Sequence, residues 1–359
     1  MSKPRILVTT AVGKTGMPVA LQLLSEGFSV TAFVRKEDTR SELLKSKGAD
    51  IVVGSITDIN DMRKAMEGAQ RAYFCTPFVE GNLKATAIFT TVAAEQKLES
   101  VVAMSQWLSN PNHPSMHTRE VWLGDKLLEF LPETNVTFIN PGFFVDNEMQ
   151  VLPFIVQFGL MTLPYGTGLN APASNEDMGR VAAEILARPE GHVGKTYRPT
   201  GPKLMSPEDS ATVFSKVLGY KVRYINVPIW MFSKVMKGMG FSGYFIAQFQ
   251  QYVRDQQKNA FGINAPNDVV RTITNREPED YETIATRYLA NAAGTKRSLG
   301  MQTRLILMLL IWMVLPGPHT SPYLASSDFS ESRHITLSAD SLEWRQSHGV
   351  SKVRQTEAA

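Results

Sequence analysis

Hydrophobic positions in the first half of this chain alternate between two rhythms. Apolar runs at residues 6–8, 30–34, 51–53, 72–75, 101–104 and 136–139 read as strands. Between them, helical spacing covers residues 14–25, 40–47, 59–66 and 83–96, with a further helical stretch closing at 123–130. Asp58 stands as a cap before one of these helices, and Pro77 stops a strand in a loop. Strands alternating with helices predict parallel pairing through crossover connections. The expected fold is α/β, a doubly wound, Rossmann-like parallel sheet with a smaller, mostly helical substrate-side region. Ligands in such sheets sit beyond the carboxyl ends of the strands. Residues 10–16, Arg35, Ser55, Thr76, Pro77, Ser105, Pro141 and Gly142 are therefore expected to line one crevice.

The second half changes character. A helix is expected over 174–188, a short strand at 195–198, and another helix from Ser206, with Pro207 in its first turn and Glu208 and Asp209 beside it. A strand follows over 222–227. Residues 230–239 and 241–259 are dense in Met and aromatic side chains, a composition that suits core packing and also an adaptable lid over a flat substrate. The pattern divides the chain into a dinucleotide-binding part (1–150), a substrate-side α/β part (151–295) and an apolar segment with a tail (296–359).

The junction of the first strand and helix carries the most specific chemistry. Val12, Gly13, Lys14, Thr15 and Gly16 form a glycine-spaced turn between an apolar strand and an apolar helix, the context in which such a motif binds dinucleotides. Gly13 lets the backbone approach a pyrophosphate, and Gly16 lets the helix pack on the strand. The helix N-terminus then faces the phosphates. Thr10 occupies the first position of a Gly-x-x-Gly-x-x-Gly spacing, where glycine would accommodate the bend more easily. The competing reading is a βα turn without a ligand. The second strand ends in Arg35 and Lys36, roughly 20 residues beyond the glycines, where such folds read the adenosine ribose. A guanidinium there suits a 2′-phosphate, so NADP(H) is the expected cofactor, with Arg35 favoured over Lys36.

Composition narrows the remaining classes. The chain has 359 residues, 43% hydrophobic and 20% charged, and a net charge of +3. That balance implies no polyanion field, and no basic stripe or nucleic-acid motif points to a DNA binder. The single cysteine, Cys75, excludes an intrachain disulfide or a cysteine-cluster metal site, and its apolar run predicts a buried small hydrophobe. No metal site is expected. The N-terminus enters a strand with no basic and apolar leader, so a cytoplasmic location is the default expectation. Residues 305–315 are uninterrupted by polar residues but fall short of the ~20 needed to span a bilayer. They read as an interfacial anchor, a packed helix or a partner-binding segment. The Ser-rich stretch beyond them is expected to be poorly ordered. A membrane-docked interaction protein accounts for that tail but not for the glycine loop with Arg35, so membrane contact is not the favoured reading. The oligomeric state is not legible.

Taken together, these residues resemble the NmrA-like group of atypical short-chain dehydrogenases. The matching elements are residues 8–16, Val34 with Arg35, and Val53 with Gly54 followed by Asp58. The match extends through Phe74, Cys75, Thr76, Pro77, Ser105, Lys126 and the run Asn140, Pro141, Gly142, Phe143 and Phe144, covering about residues 4–290. The group contains NADPH-dependent quinone and azo-dye reductases, and also non-catalytic proteins that sense the nicotinamide redox state. The resemblance implies cofactor contacts from Thr10, Val12, Gly13, Lys14, Thr15, Gly16, Arg35, Ser55, Thr76, Pro77, Lys126, Phe143 and Phe144. Ser55 departs from the acidic residue that commonly approaches the adenine.

A typical short-chain dehydrogenase pairs Tyr with Lys four residues later on one helix face. Here Trp122 stands four residues before Lys126, and an indole cannot act as the acid. The resemblance then implies hydride transfer to an electron-poor aromatic small molecule, a quinone or azo compound, which needs little proton assistance. Lys126 would hold the ribose or a substrate oxygen. His117 is a candidate proton donor because histidine titrates near neutrality. The alternatives are a surface-loop His117, a Lys126 paired with Glu129 or Asp125, and a non-catalytic redox sensor read by a protein partner. His113 has a weaker case than His117.

Overall fold

The computed structural model describes residues 3–291 and 296–324. Its first half runs β1 (Arg5–Val8), α1 (Gly16–Ser25), β2 (Ser29–Val34), α2 (Thr39–Ser46), β3 (Asp50–Val53) and α3 (Ile59–Met66). It continues with β4 (Arg71–Phe74), α4 (Asn82–Gln96), β5 (Ser100–Met104), α5 (Met116–Glu129) and β6 (Asn135–Ile139). Local chemistry sets several of these boundaries. Asp58 accepts from the N–H groups of Asn60 and Asp61 to start α3, and Asp38 and Ser41 form a reciprocal capping box on α2. Helix α5 begins earlier than its apolar spacing suggests, because Ser115 caps it by accepting from the N–H of Thr118.

The second half contains α6 (Asp146–Met149), α7 (Leu152–Phe158), β7 (Leu160–Leu163), α8 (Asn175–Ala187), β8 (Thr196–Tyr197) and α9 (Pro207–Leu218). Then come β9 (Arg223–Asn226), α10 (Ile229–Gly238), α11 (Gly243–Gln257), α12 (Val269–Thr274), α13 (Tyr281–Asn291) and α14 (Leu299–Val314). As expected, Ser206 caps α9 in a second capping box, with Pro207 in the first turn.

The main sheet has seven strands in the order β3-β2-β1-β4-β5-β6-β8, all parallel. This is the doubly wound arrangement, with its switch of direction between β1 and β4. Helices α1 and α8 cover one face, where Val8, Val19, Leu23, Val30, Val181 and Ile185 are buried together. The opposite face buries Phe33, Met62, Phe74, Phe89, Val101 and Phe138 beneath α3, α4 and α5. A third apolar cluster, built from residues of α6, α7, α9, α10, α11 and α13, forms the smaller region around Tyr165, Phe214, Phe249 and Ile284. There β7 and β9 form a separate two-stranded parallel sheet. Because α8 packs on the face of α1 and β8 pairs with β6, the chain returns to the first region after residue 150. The apolar segment at 305–315 lies within and just beyond α14, while the tail from residue 325 onward lies outside the described residues.

Candidate dinucleotide-binding site

The loop between β1 and α1 is organised around the carbonyl of Thr10. Thr10 adopts φ +47°, the left-handed region that a glycine would enter without strain. Its hydroxyl donates to the Cys75 carbonyl at 3.2 Å, tying the bend to the end of β4, and Thr9 makes a parallel bond to the same carbonyl at 3.1 Å. The N–H of Gly13 closes onto the Thr10 carbonyl at 2.7 Å. A Cβ on Gly13 would stand 2.9 Å from that oxygen, and one on Gly16 only 2.5 Å from it. Threonine in place of the first glycine thus preserves a tight loop, and both remaining glycines are needed to complete it. The N-cap Thr15 makes no capping bond to α1, and the helix has no acid in its first turn. Instead, Thr15 accepts a hydrogen bond from the buried Tyr73 hydroxyl at 2.9 Å. The loop thus offers what a pyrophosphate cradle needs, a compact backbone and a helix with no acid in its first turn.

Arg35 follows β2 directly and is exposed. A second guanidinium, not singled out from sequence, reaches the same loop. Arg40 donates from Nη1 to the Val12 carbonyl at 3.0 Å while its Nη2 pairs with Asp38 at 2.6 Å. The pairing holds the Asp38 carboxyl down to about 2. Ser55, after β3, is exposed; its hydroxyl lies 2.9 Å from that of Thr57, and its N–H donates to Asp61 at 2.8 Å. Asp61 therefore places a carboxylate at the loop where Ser55 itself lacks one.

Thr76 and Pro77 are half-buried in the loop after β4. Cys75 just before them is half-buried as a residue and packs at the edge of the apolar group on that face. It sits one position beyond β4 with its thiol near Thr15, and burial of the sulfur raises its pKa. Lys14 reaches across to Asp146 at 2.9 Å, and the same carboxylate oxygen accepts from Asn175 at 2.7 Å. This links the glycine loop to α6 and α8. Phe143 and Phe144 diverge. Phe143 points into the smaller core against Tyr165 and Phe261, whereas Phe144 packs with the group that includes Val12, Cys75 and Met104.

Lys126 pairs with Glu129 at 3.0 Å and lies over the Trp122 ring at 5.7 Å. His117 is buried near the start of α5 rather than in a surface loop. Its Nδ1 lies 3.1 Å from the Tyr244 hydroxyl, and Phe78 covers its ring with centroids 4.1 Å apart. Burial drives its pKa down to about 3, so His117 is neutral near physiological pH and is not the titrating acid that its ordinary value suggests. His113 is also buried, with Nδ1 accepting from the Ser115 N–H at 3.1 Å and Nε2 near Asp255. The aromatic group continues through Phe245, 4.9 Å from Phe78 between ring centroids.

One acid beside the expected crevice was not singled out from sequence as a proton source. Asp125 accepts from Ser105 at 2.6 Å and Ser109 at 2.9 Å at the tip of β5. Burial pushes its carboxyl up to about 7 despite both hydrogen bonds. No group of metal-ligating residues occurs among the described residues.

The sheet order, glycine loop and strand-end residues define a Rossmann-like fold of the nucleotide-binding kind. Residues 2–283 match the NmrA-like family, and the chain belongs to that family. It is similar to an NAD(P)H azoreductase of Xenophilus azovorans, 24% identical over 293 residues, which covers 79% of this chain and 98% of that protein. Its fold resembles the NADPH-dependent quinone oxidoreductase of Escherichia coli solved with NADPH, with TM-score 0.69, 17% identity and coverage of 79% and 99% of the two chains. It also resembles NmrA, a negative transcriptional regulator solved with NADP, with TM-score 0.65, 16% identity and coverage of 82% and 99%. No helix among the described residues is long and apolar enough to cross a membrane.

Proposed function

We propose that the chain is an NADPH-dependent reductase of the cytoplasm that passes hydride to an electron-poor aromatic acceptor, a quinone or an azo compound. The observation that carries this reading is the guanidinium of Arg40, paired with Asp38 and fixed 3.0 Å from the glycine-loop carbonyl of Val12, together with Arg35 exposed directly after β2. Two cations at the ribose end of a phosphate cradle suit a 2′-phosphate. Relatedness to an NAD(P)H azoreductase supports the acceptor class.

When bound, the nicotinamide supplies a hydride; the protein's part is to orient and enclose. In this reading, residues 10–16 hold the pyrophosphate and the two arginines hold the adenosine phosphate. Ser55 and Asp61 border the adenine, Thr76, Pro77 and Phe144 wall the nicotinamide side, and Lys126 exchanges Glu129 for a ribose or substrate oxygen. Phe143, buried in the smaller core, takes no part in that wall. Trp122 offers no phenolic proton, which favours acceptors whose reduced form is already a stabilised anion.

The same replacement favours a second reading, in which the pocket binds NADP(H) without turnover and a protein partner senses its state. Similarity to the NmrA regulator points the same way. NADPH oxidation by the purified chain with a panel of quinones and azo dyes separates the two. Turnover supports the reductase. Tight coenzyme binding without oxidation above background selects the sensor.

A further inference from the structure

Helix α14 is apolar on nearly every side, yet it lies on the outside of the molecule. One side is firmly docked. Leu305 is buried, and the Trp312 ring covers Gly238 of α10 so closely that a Cβ there would meet it at 2.3 Å. Gln157 of α7 donates to the Lys296 carbonyl at 2.9 Å and accepts from the N–H of Ser298 at 2.9 Å, fixing the start of the helix. Lys234 donates to the Met313 carbonyl at 2.6 Å and Lys237 to Pro316 at 2.9 Å, capping its end with cations.

The other side carries Ile306, Leu307, Leu310, Ile311, Val314 and Leu315, each 47–83% exposed. On the neighbouring α10, Trp230 is 60% exposed. A soluble surface helix normally turns polar residues outward, so such a face implies an apolar occupant.

Charge identifies the occupant. No Asp or Glu occurs in residues 149–175, 210–254 or 283–327, the stretches that contain α7, β7, β9, α10, α14 and α11 up to Arg254; Asp255, next in α11, is buried against His113. Those stretches contain Lys221, Arg223, Lys234, Lys237, Arg297 and Arg304. The Arg297 guanidinium lies by Gly159 near the start of α14, Arg304 is exposed along the helix, and Lys234 and Lys237 hold its end. Two copies pairing through this face would set cations against cations. An anionic bilayer surface satisfies both the apolar stripe and its basic borders.

We infer that α14 is an interfacial helix that lays this face of the protein flat on anionic lipid. Its 16 residues form a helix about 24 Å long, placed parallel to the membrane rather than across it. The inference is independent of the coenzyme chemistry.

Sedimentation of the full chain with vesicles tests it. The parent protein should pellet with phosphatidylcholine vesicles containing phosphatidylglycerol, bind phosphatidylcholine alone much more weakly, and be released by high salt. The double variant Leu307→Glu, Leu310→Glu should lose at least about tenfold in binding. Because both side chains already face solvent, its melting temperature should match the parent's. Arg304→Glu should weaken binding to anionic vesicles specifically. A parent protein that stays in the supernatant with both vesicle types overturns the inference. So does unchanged binding by the double variant. A parent dimer that the same substitutions dissociate, without lipid binding, assigns the face to a second copy instead.

Discussion

The carbonyl of Thr10 and the α-carbon of Gly16 approach so closely that a methyl group on Gly16 would stand 2.5 Å from the oxygen. This contact decides the shape of the phosphate loop. Gly16→Ala must push α1 away from β1 or rotate the Thr10 peptide. We expect a loss of about 1–3 kcal/mol in stability and a larger proportional loss in coenzyme affinity. Chemical denaturation and calorimetry of the same variant measure the two. Parent-like values for both would contradict the loop geometry.

Arg40 is expected to act on coenzyme choice. Arg40→Ala and Arg35→Ala should each weaken NADPH binding by about tenfold or more, with little change for NADH. Arg40→Lys should restore only part of the difference, since an ammonium cannot bridge the Val12 carbonyl and a phosphate in one plane. Equal losses for both coenzymes would mean that Arg40 only braces the loop.

Asp125 gives the reductase reading a pH signature. With its carboxyl near 7, it holds a proton at acidic pH and loses it as pH rises through neutrality. Hydride transfer to a quinone leaves a stabilised anion that water can protonate, and a neutral Asp125 near the strand end would protonate it faster. Quinone reduction should therefore slow modestly above about pH 7, and Asp125→Asn should flatten that decline. His117, neutral down to about pH 3, should contribute no inflection near 6.5. An unchanged quinone profile in Asp125→Asn removes Asp125 from the proton path.

Glu148 provides a stability test in the smaller region. It is buried beside the Tyr281 hydroxyl, and desolvation raises its carboxyl to about 7 from an ordinary 4.5. Between those values the unfolded chain releases the proton while the folded chain retains it. This group's contribution is thus intact below about 4.5 and lost as pH rises through about 7. Relative to Glu148→Gln, the parent should lose up to about 3 kcal/mol across that window. Parallel melting-temperature profiles for parent and variant would rule out this assignment.

The strands of the large sheet were legible because parallel strands covered on both faces appear as short apolar runs, as in 30–34 and 101–104. Strand β7 was not, because residues 151–163 are apolar on both sides of Gly159 and periodicity there does not separate helix from strand. The glycine loop announced itself through local spacing. Arg40 did not, since its bond to Val12 joins residues 28 apart and depends on the direction in which α2 leaves its cap. The link from Lys14 to Asp146 is longer still. His117 shows the limit of residue type as a guide. Histidine suggested a proton donor, and packing beneath Phe78 made it neutral.

The central claim is that the loop after β1 and the arginines beyond β2 grip a coenzyme carrying an adenosine 2′-phosphate. Isothermal titration of the parent chain with NADPH and with NADH tests it most directly. The account predicts saturable heat with NADPH and affinity at least about tenfold weaker for NADH. Equal affinities, or no heat with either, would contradict it.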